Sequence, residues 1–87
     1  MHQPDHPLKR FSQNFLANPY YQQRIVEALR INSGDTVLEI GPGRGALSQY
    51  IITEKPQRYV AVEIDDRWAK ELQQKFGSAI QIINADF

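Results

Sequence analysis

Three short apolar runs, TVLEI at 36–40, YVAV at 59–62 and AIQII at 79–83, are separated by stretches in which apolar residues recur at helical spacing. This alternation constrains the fold more than any other feature of the chain. Short runs rich in Val and Ile suit buried strands. Between the first two runs, residues 46–53 offer Leu47, Ile51 and Ile52 to one helical face before Lys55-Pro56-Gln57 interrupts. Between the second and third, Asp65 or Asp66 caps a helix lined by Trp68, Ala69, Leu72 and Phe76 and ended by Gly77. Upstream, Asn18-Pro19 starts a helix that runs to about Arg30 with Tyr21, Ile25, Val26 and Leu29 at helical spacing. Strands alternating with helices build a parallel sheet covered on both sides, and right-handed crossovers set the spatial order 3-2-1. The expected class is α/β, the first half of a doubly wound parallel sheet with flanking helices.

Size and composition narrow the functional classes. A chain of 87 residues allows one small domain. Ten basic residues balance ten acidic ones, so no overall charge points to nucleic acid, although a local patch can still bind it. The absence of cysteine excludes disulfides, thiolate chemistry and zinc–cysteine sites. His2 and His6 lie in the Pro-rich stretch 1–8, which reads as a flexible leader far from any carboxylate cluster, so no metal is expected. No apolar segment approaches the length of a membrane span or a signal sequence, and the expectation is a soluble cytoplasmic protein. The last residues, AIQIINADF, bring a strand to the chain end. With the first strand left as an exposed apolar edge, the chain reads as a piece of a longer domain.

The candidate site is the stretch VLEIGPGRGALS at 37–48. Gly41, Gly43 and Gly45 follow the first strand directly, and Gly41, Gly43 and Ala46 satisfy the dinucleotide pattern G-x-G-x-x-G/A. Such a turn lets a ligand lie against the main chain and aims the amides of the following helix at it. A tight turn with no ligand produces the same glycines. Glu63 adds a second element: it stands 22 residues after Gly41 at the end of the second strand, where a carboxylate accepts hydrogen bonds from ribose hydroxyls. Asp86 repeats the arrangement after the third strand, within reach of an adenine amino group, or else is an ordinary loop residue. No Gly-Lys-Ser/Thr follows the glycines, which excludes a P-loop. A dinucleotide and a methyl donor remain. Glu39, near the end of a buried strand, needs a partner; a cationic ligand moiety or the leader backbone can supply one, whereas a pyrophosphate would be repelled.

KRFSQNFL at 9–16, VLEIGPGRGALS, VAVEIDDR and the closing Asn84-Ala85-Asp86 together resemble the bacterial 16S rRNA adenine N6,N6-dimethyltransferases. The likeness extends to the erythromycin-resistance 23S rRNA methyltransferases and the eukaryotic dimethyladenosine transferases. It covers residues 9–87, and departs from the family pattern at Ser12, where glycine is usual. The resemblance implies a Rossmann-like methyltransferase fold, of which 9–87 is the N-terminal, cofactor-binding part, and S-adenosyl-L-methionine as cofactor. It implies that Asn14 and Leu16 contact the cofactor from the N-terminal segment and that Gly41 and Gly43 line its amino acid end. Glu63 would hold the ribose, Ile64 would pack on adenine and Asp86 would bind the adenine amino group. The implied reaction is double methylation of N6 of adenines in small-subunit rRNA, with the pre-ribosomal small subunit as partner. The family's Asn-Leu-Pro-Tyr-type motif for the target amine and its C-terminal helical domain are not among these residues. No catalytic residue is therefore assigned, and these residues alone are expected to be inactive. Lys9, Arg10 and Arg44 are candidate phosphate contacts or ordinary solvated cations. A nicotinamide-dependent oxidoreductase half-domain and a non-catalytic nucleotide-binding or interaction module are the competing readings.

Overall fold

Residues 17–86 are described in the computed structural model. The expected leader and the KRFSQNFL segment, with Asn14 and Leu16, lie outside them, as does Phe87. Helix α1 (Pro19–Ala28) is followed by β1 (Thr36–Ile40), α2 (Ser48–Thr53), β2 (Arg58–Glu63), α3 (Asp66–Phe76), a 3-10 turn (Gly77–Ala79) and β3 (Gln81–Asn84).

Local chemistry sets the ends of these elements. Asn18 Oδ1 accepts the Tyr20 amide at 2.9 Å, and Pro19 needs no partner for a missing N–H, so α1 starts there. Asp65 Oδ1 accepts the amides of Arg67 and Trp68 at 2.9 and 3.1 Å, which resolves the two expected caps of α3 in favour of Asp65. Gly77 closes α3 with φ 57°. Some details differ from expectation. Helix α2 begins at Ser48 rather than Ala46, because the glycine turn continues through residues 43–47. The third strand begins at Gln81, since the residues after Gly77 form the 3-10 turn. In α1 it is Gln22 and Val26, one turn apart, that are buried, while Leu29 is 56 % exposed at the C-cap.

All strands are parallel in the order β1-β2-β3, with Val37 opposite Tyr59, Glu39 opposite Ala61, and Ala61 opposite Ile82. This is the order expected from the sequence. Val37, Tyr59, Ala61 and Ile82 share one face; Tyr59 and Ala61 join Val26 of α1, Ile51 of α2 and Ile80 in the core, with Val37, Ile82 and Phe76 packed against it. The opposite face carries Leu38 (62 % exposed), Ile40 and Ile83. The expectation of helices on both faces is therefore corrected: among the described residues, the helices pack on one face only.

Gly45 explains how α3 approaches the turn. It is buried at φ 83°, and a Cβ there would stand 2.8 Å from Phe76 Cε2 and 3.0 Å from Leu72 Cδ2. The third glycine of the motif thus serves packing, with no room for a methyl group. Gly45→Ala combines overpacking with backbone strain and is expected to destabilise the chain by about 1–3 kcal/mol. A urea denaturation midpoint unchanged from that of the parent chain would refute this account.

Candidate functional site

The carboxyl ends of the three strands meet at Glu63. Its carboxylate belongs to the last residue of β2, on the helix-covered face, and is only 5 % exposed. Burying a charge requires compensating donors. Two backbone amides supply them: Gly43 N–H donates to Oε1 at 2.8 Å, and Asp65 N–H donates to Oε2 at 3.0 Å. One side chain thereby ties the glycine turn to β2 and to the entry of α3. A carboxylate offers about four acceptor positions, so two amides leave capacity for further donors such as a pair of hydroxyls.

The floor of this region is stitched by main-chain bonds. Gly41 N–H donates to Val62 O at 2.8 Å, and Ala85 N–H donates to Glu63 O at 3.2 Å. Asn84 Nδ2 donates to Glu63 O at 2.9 Å and to Ile64 O at 3.3 Å. Above the floor, Gly41 and Gly43 have φ of 69° and 59°, and among the described residues no atom beyond their immediate chain neighbours lies within 4 Å of the position a Cβ would take at either. The space that two side chains would fill is open to a ligand lying on the main chain. Ile64 is 57 % exposed beside Glu63, and Asp86 is exposed beyond β3.

The structure therefore brings Gly41, Gly43, Glu63 and Ile64 to one end of the sheet, with Asp86 two residues past the strand that pairs with β2. Asn14 and Leu16 lie outside the described residues. Sequence reading missed the positioning role of Asn84, whose side chain holds the turn after β2; an amide residue at a strand end was the available signal.

Glu39 has partners other than those expected. Ser48 Oγ donates to its Oε1 at 2.7 Å, and the Tyr59 hydroxyl donates to the same oxygen. Ser48 is fully buried at the first residue of α2, so the network pins that helix to β1 and β2. Burial, followed by the bond to Glu39, pushes the Tyr59 phenol well above the usual tyrosine range. Among the described residues, no group of three His, Cys, Asp or Glu side chains is placed to hold a metal, and no helix is long and apolar enough to cross a membrane.

Residues 6–87 match the family described as ribosomal RNA adenine dimethylase. The chain belongs to that family. Over 80 % of its length this dimethylase-family chain is 46 % identical to a ribosomal RNA small subunit methyltransferase A from Synechococcus sp. (strain CC9311), covering 25 % of that protein. Among solved structures, the 23S rRNA methyltransferase ErmE superposes with a TM-score of 0.72 at 33 % identity, over 80 % of this chain and 29 % of that one. A dimethyladenosine transferase from Plasmodium falciparum gives 0.71 at 29 % identity, over 79 % and 26 %. The dimethylase-family chain thus spans about a quarter to a third of the curated relatives it matches. The expected fold class stands: these residues form part of a Rossmann-like methyltransferase fold.

The Tyr59 shift carries a pH signature. The fold favours the neutral phenol, so the stabilisation is complete below the ordinary tyrosine pKa of about 10 and is lost as the pH rises above it. Melting temperature is expected to fall more steeply between about pH 9 and pH 11 in the parent chain than in Tyr59→Phe. Parallel curves for the two proteins would refute the assignment.

Proposed function

We propose that this chain is the cofactor-binding part of an S-adenosyl-L-methionine-dependent rRNA adenine N6,N6-dimethyltransferase. The observation that carries the reading is the Glu63 carboxylate, placed at the end of β2 and hydrogen-bonded to Gly43 of the glycine turn, in a chain of the dimethylase family. When bound, S-adenosyl-L-methionine supplies a methyl group activated by the positive charge on its sulfur.

The residues present fit that group. Glu63 has acceptor positions left for ribose hydroxyls, and Gly41 and Gly43 leave the main chain bare for the amino acid end. Ile64 offers an exposed apolar surface for the adenine ring, and Asp86 an acceptor for its amino group. Asn14 and Leu16 complete the set from the N-terminal segment. Rigid placement is the contribution of these residues: the hydrogen-bonded strand ends would hold the methyl donor in one orientation at the end of the sheet. The substrate is adenine N6 in small-subunit rRNA, the partner the pre-ribosomal small subunit, and the compartment the cytoplasm. Family membership removes the support for a nicotinamide enzyme, which rested on the glycine spacing and Glu63 alone.

Calorimetric titration of the chain with S-adenosylhomocysteine, with NAD as control, tests this reading. Binding of the first and not the second is expected. Glu63→Gln exchanges an acceptor oxygen for a donor and is expected to weaken binding on the order of tenfold or more. Since Glu63 also holds the turn, Asp86→Ala serves as the variant outside that network, with an expected loss on the order of tenfold. Full affinity in both variants, or a preference for NAD, would overturn the assignment.

A further inference from the structure

Beside the glycine turn, on its α3 side, lies a groove of about 480 Å³ lined by Gly43 and Arg44 from the turn and by Arg67, Trp68, Glu71 and Lys75 from α3. Its charge departs from the neutrality of the chain, with three cations facing one carboxylate. Each cation lies over an aromatic ring. The guanidinium carbons of Arg44 and Arg67 are 4.9 and 5.3 Å from the centroid of Trp68, and Lys75 Nζ is 5.2 Å from that of Phe76. Attraction between a cation and a ring face holds a guanidinium in place without consuming the N–H donors along its edge. Among the described residues the only ion pair joins Arg24 and Glu27, so Glu71 is not in contact with these three cations and leaves the groove with an excess of positive charge.

We propose that this face is a docking surface for unpaired RNA, with the N–H edges of Arg44 and Arg67 taking backbone phosphates. Held over the half-buried indole of Trp68, the guanidinium planes themselves are the π-faces on which an unstacked base rests. The inference rests on the proposed function and deepens it by assigning where the nucleic acid lies relative to the methyl donor. Gly43 belongs to both places: its amide holds Glu63, and it lines the groove. An RNA strand on the α3 side would therefore pass directly beside the open glycine turn. A nucleotide matches this surface through anion and π-face together, whereas an acidic peptide would satisfy the arginines and leave the aromatic platform unused.

Trp68 is the only tryptophan, so its fluorescence reports on the groove. The chain is titrated with a short stem-loop RNA carrying adenines in its loop, at several salt concentrations, by Trp68 fluorescence and by anisotropy of the labelled RNA. Expected are a change in Trp68 emission and, for Arg44→Ala with Arg67→Ala, a loss of affinity on the order of tenfold. The log–log salt dependence should become shallower by about 1.5. Arg24→Ala with Lys70→Ala removes the same charge elsewhere and is expected to leave both nearly unchanged. Equal effects of the two double variants, no RNA binding by the parent chain, or a Trp68 response to polyglutamate and not to RNA would each overturn the proposal. S-adenosylhomocysteine affinity, measured on the same samples, separates the two readings. Its retention in Arg44→Ala with Arg67→Ala confines the effect to the groove, and its absence in the parent chain defeats the donor site alone.

Discussion

A nearly buried carboxylate accepting two backbone amides is the constraint on which the arrangement depends. Glu63 costs free energy to remove from water, and that cost is offset only while the Gly43 and Asp65 amides point at it. The requirement couples the end of β2 and the entry of α3 to a glycine turn that lies 20 residues earlier in the chain. It draws the glycine turn over the end of β2, and through Asp65, whose own side chain caps α3, it fixes where that helix starts. Losing the carboxylate would leave two amides and a helix entry without their common anchor.

A second polar network secures the layer behind. Glu39 of β1 gathers the hydroxyls of Ser48 and Tyr59, so each acid on the helix-covered face of the sheet joins neighbouring elements. Apolar packing by Val26, Ile51 and Ile80 supplies the burial, and the two carboxylates decide how the helices are seated on it. The same division recurs at the candidate site. Main-chain bonds from Gly41 and Ala85 align the strand ends, while Asn84 and Glu63 add the side-chain links.

Much of this was legible in the sequence because periodicity and caps are local. The runs TVLEI and YVAV became β1 and β2, Asn18 and Asp65 became helix caps, and the strand order followed from the handedness of short crossovers. That Glu63 stands at the same end of the sheet as the glycine turn was legible too, since both follow parallel strands, but its hydrogen bonds to the Gly43 and Asp65 amides were not. What escaped was non-local. Only the packing of Phe76 and Leu72 shows that Gly45 is there for want of space, and only the register of β1 against β2 brings Tyr59 to Glu39. The late start of α2 had no signal either, because Ala46 and Leu47 are good helix formers held in a turn by the glycines before them.

The bare face of the sheet changes what stability means for these residues. Leu38, Ile40 and Ile83 stand in water on a surface that exists only when the strands are paired. Anything apolar that settles there recognises the folded chain and has no equivalent target in the unfolded one. The folding equilibrium is then linked by mass action to the concentration of whatever covers that surface, and a single free energy of unfolding describes these residues only when that concentration is stated.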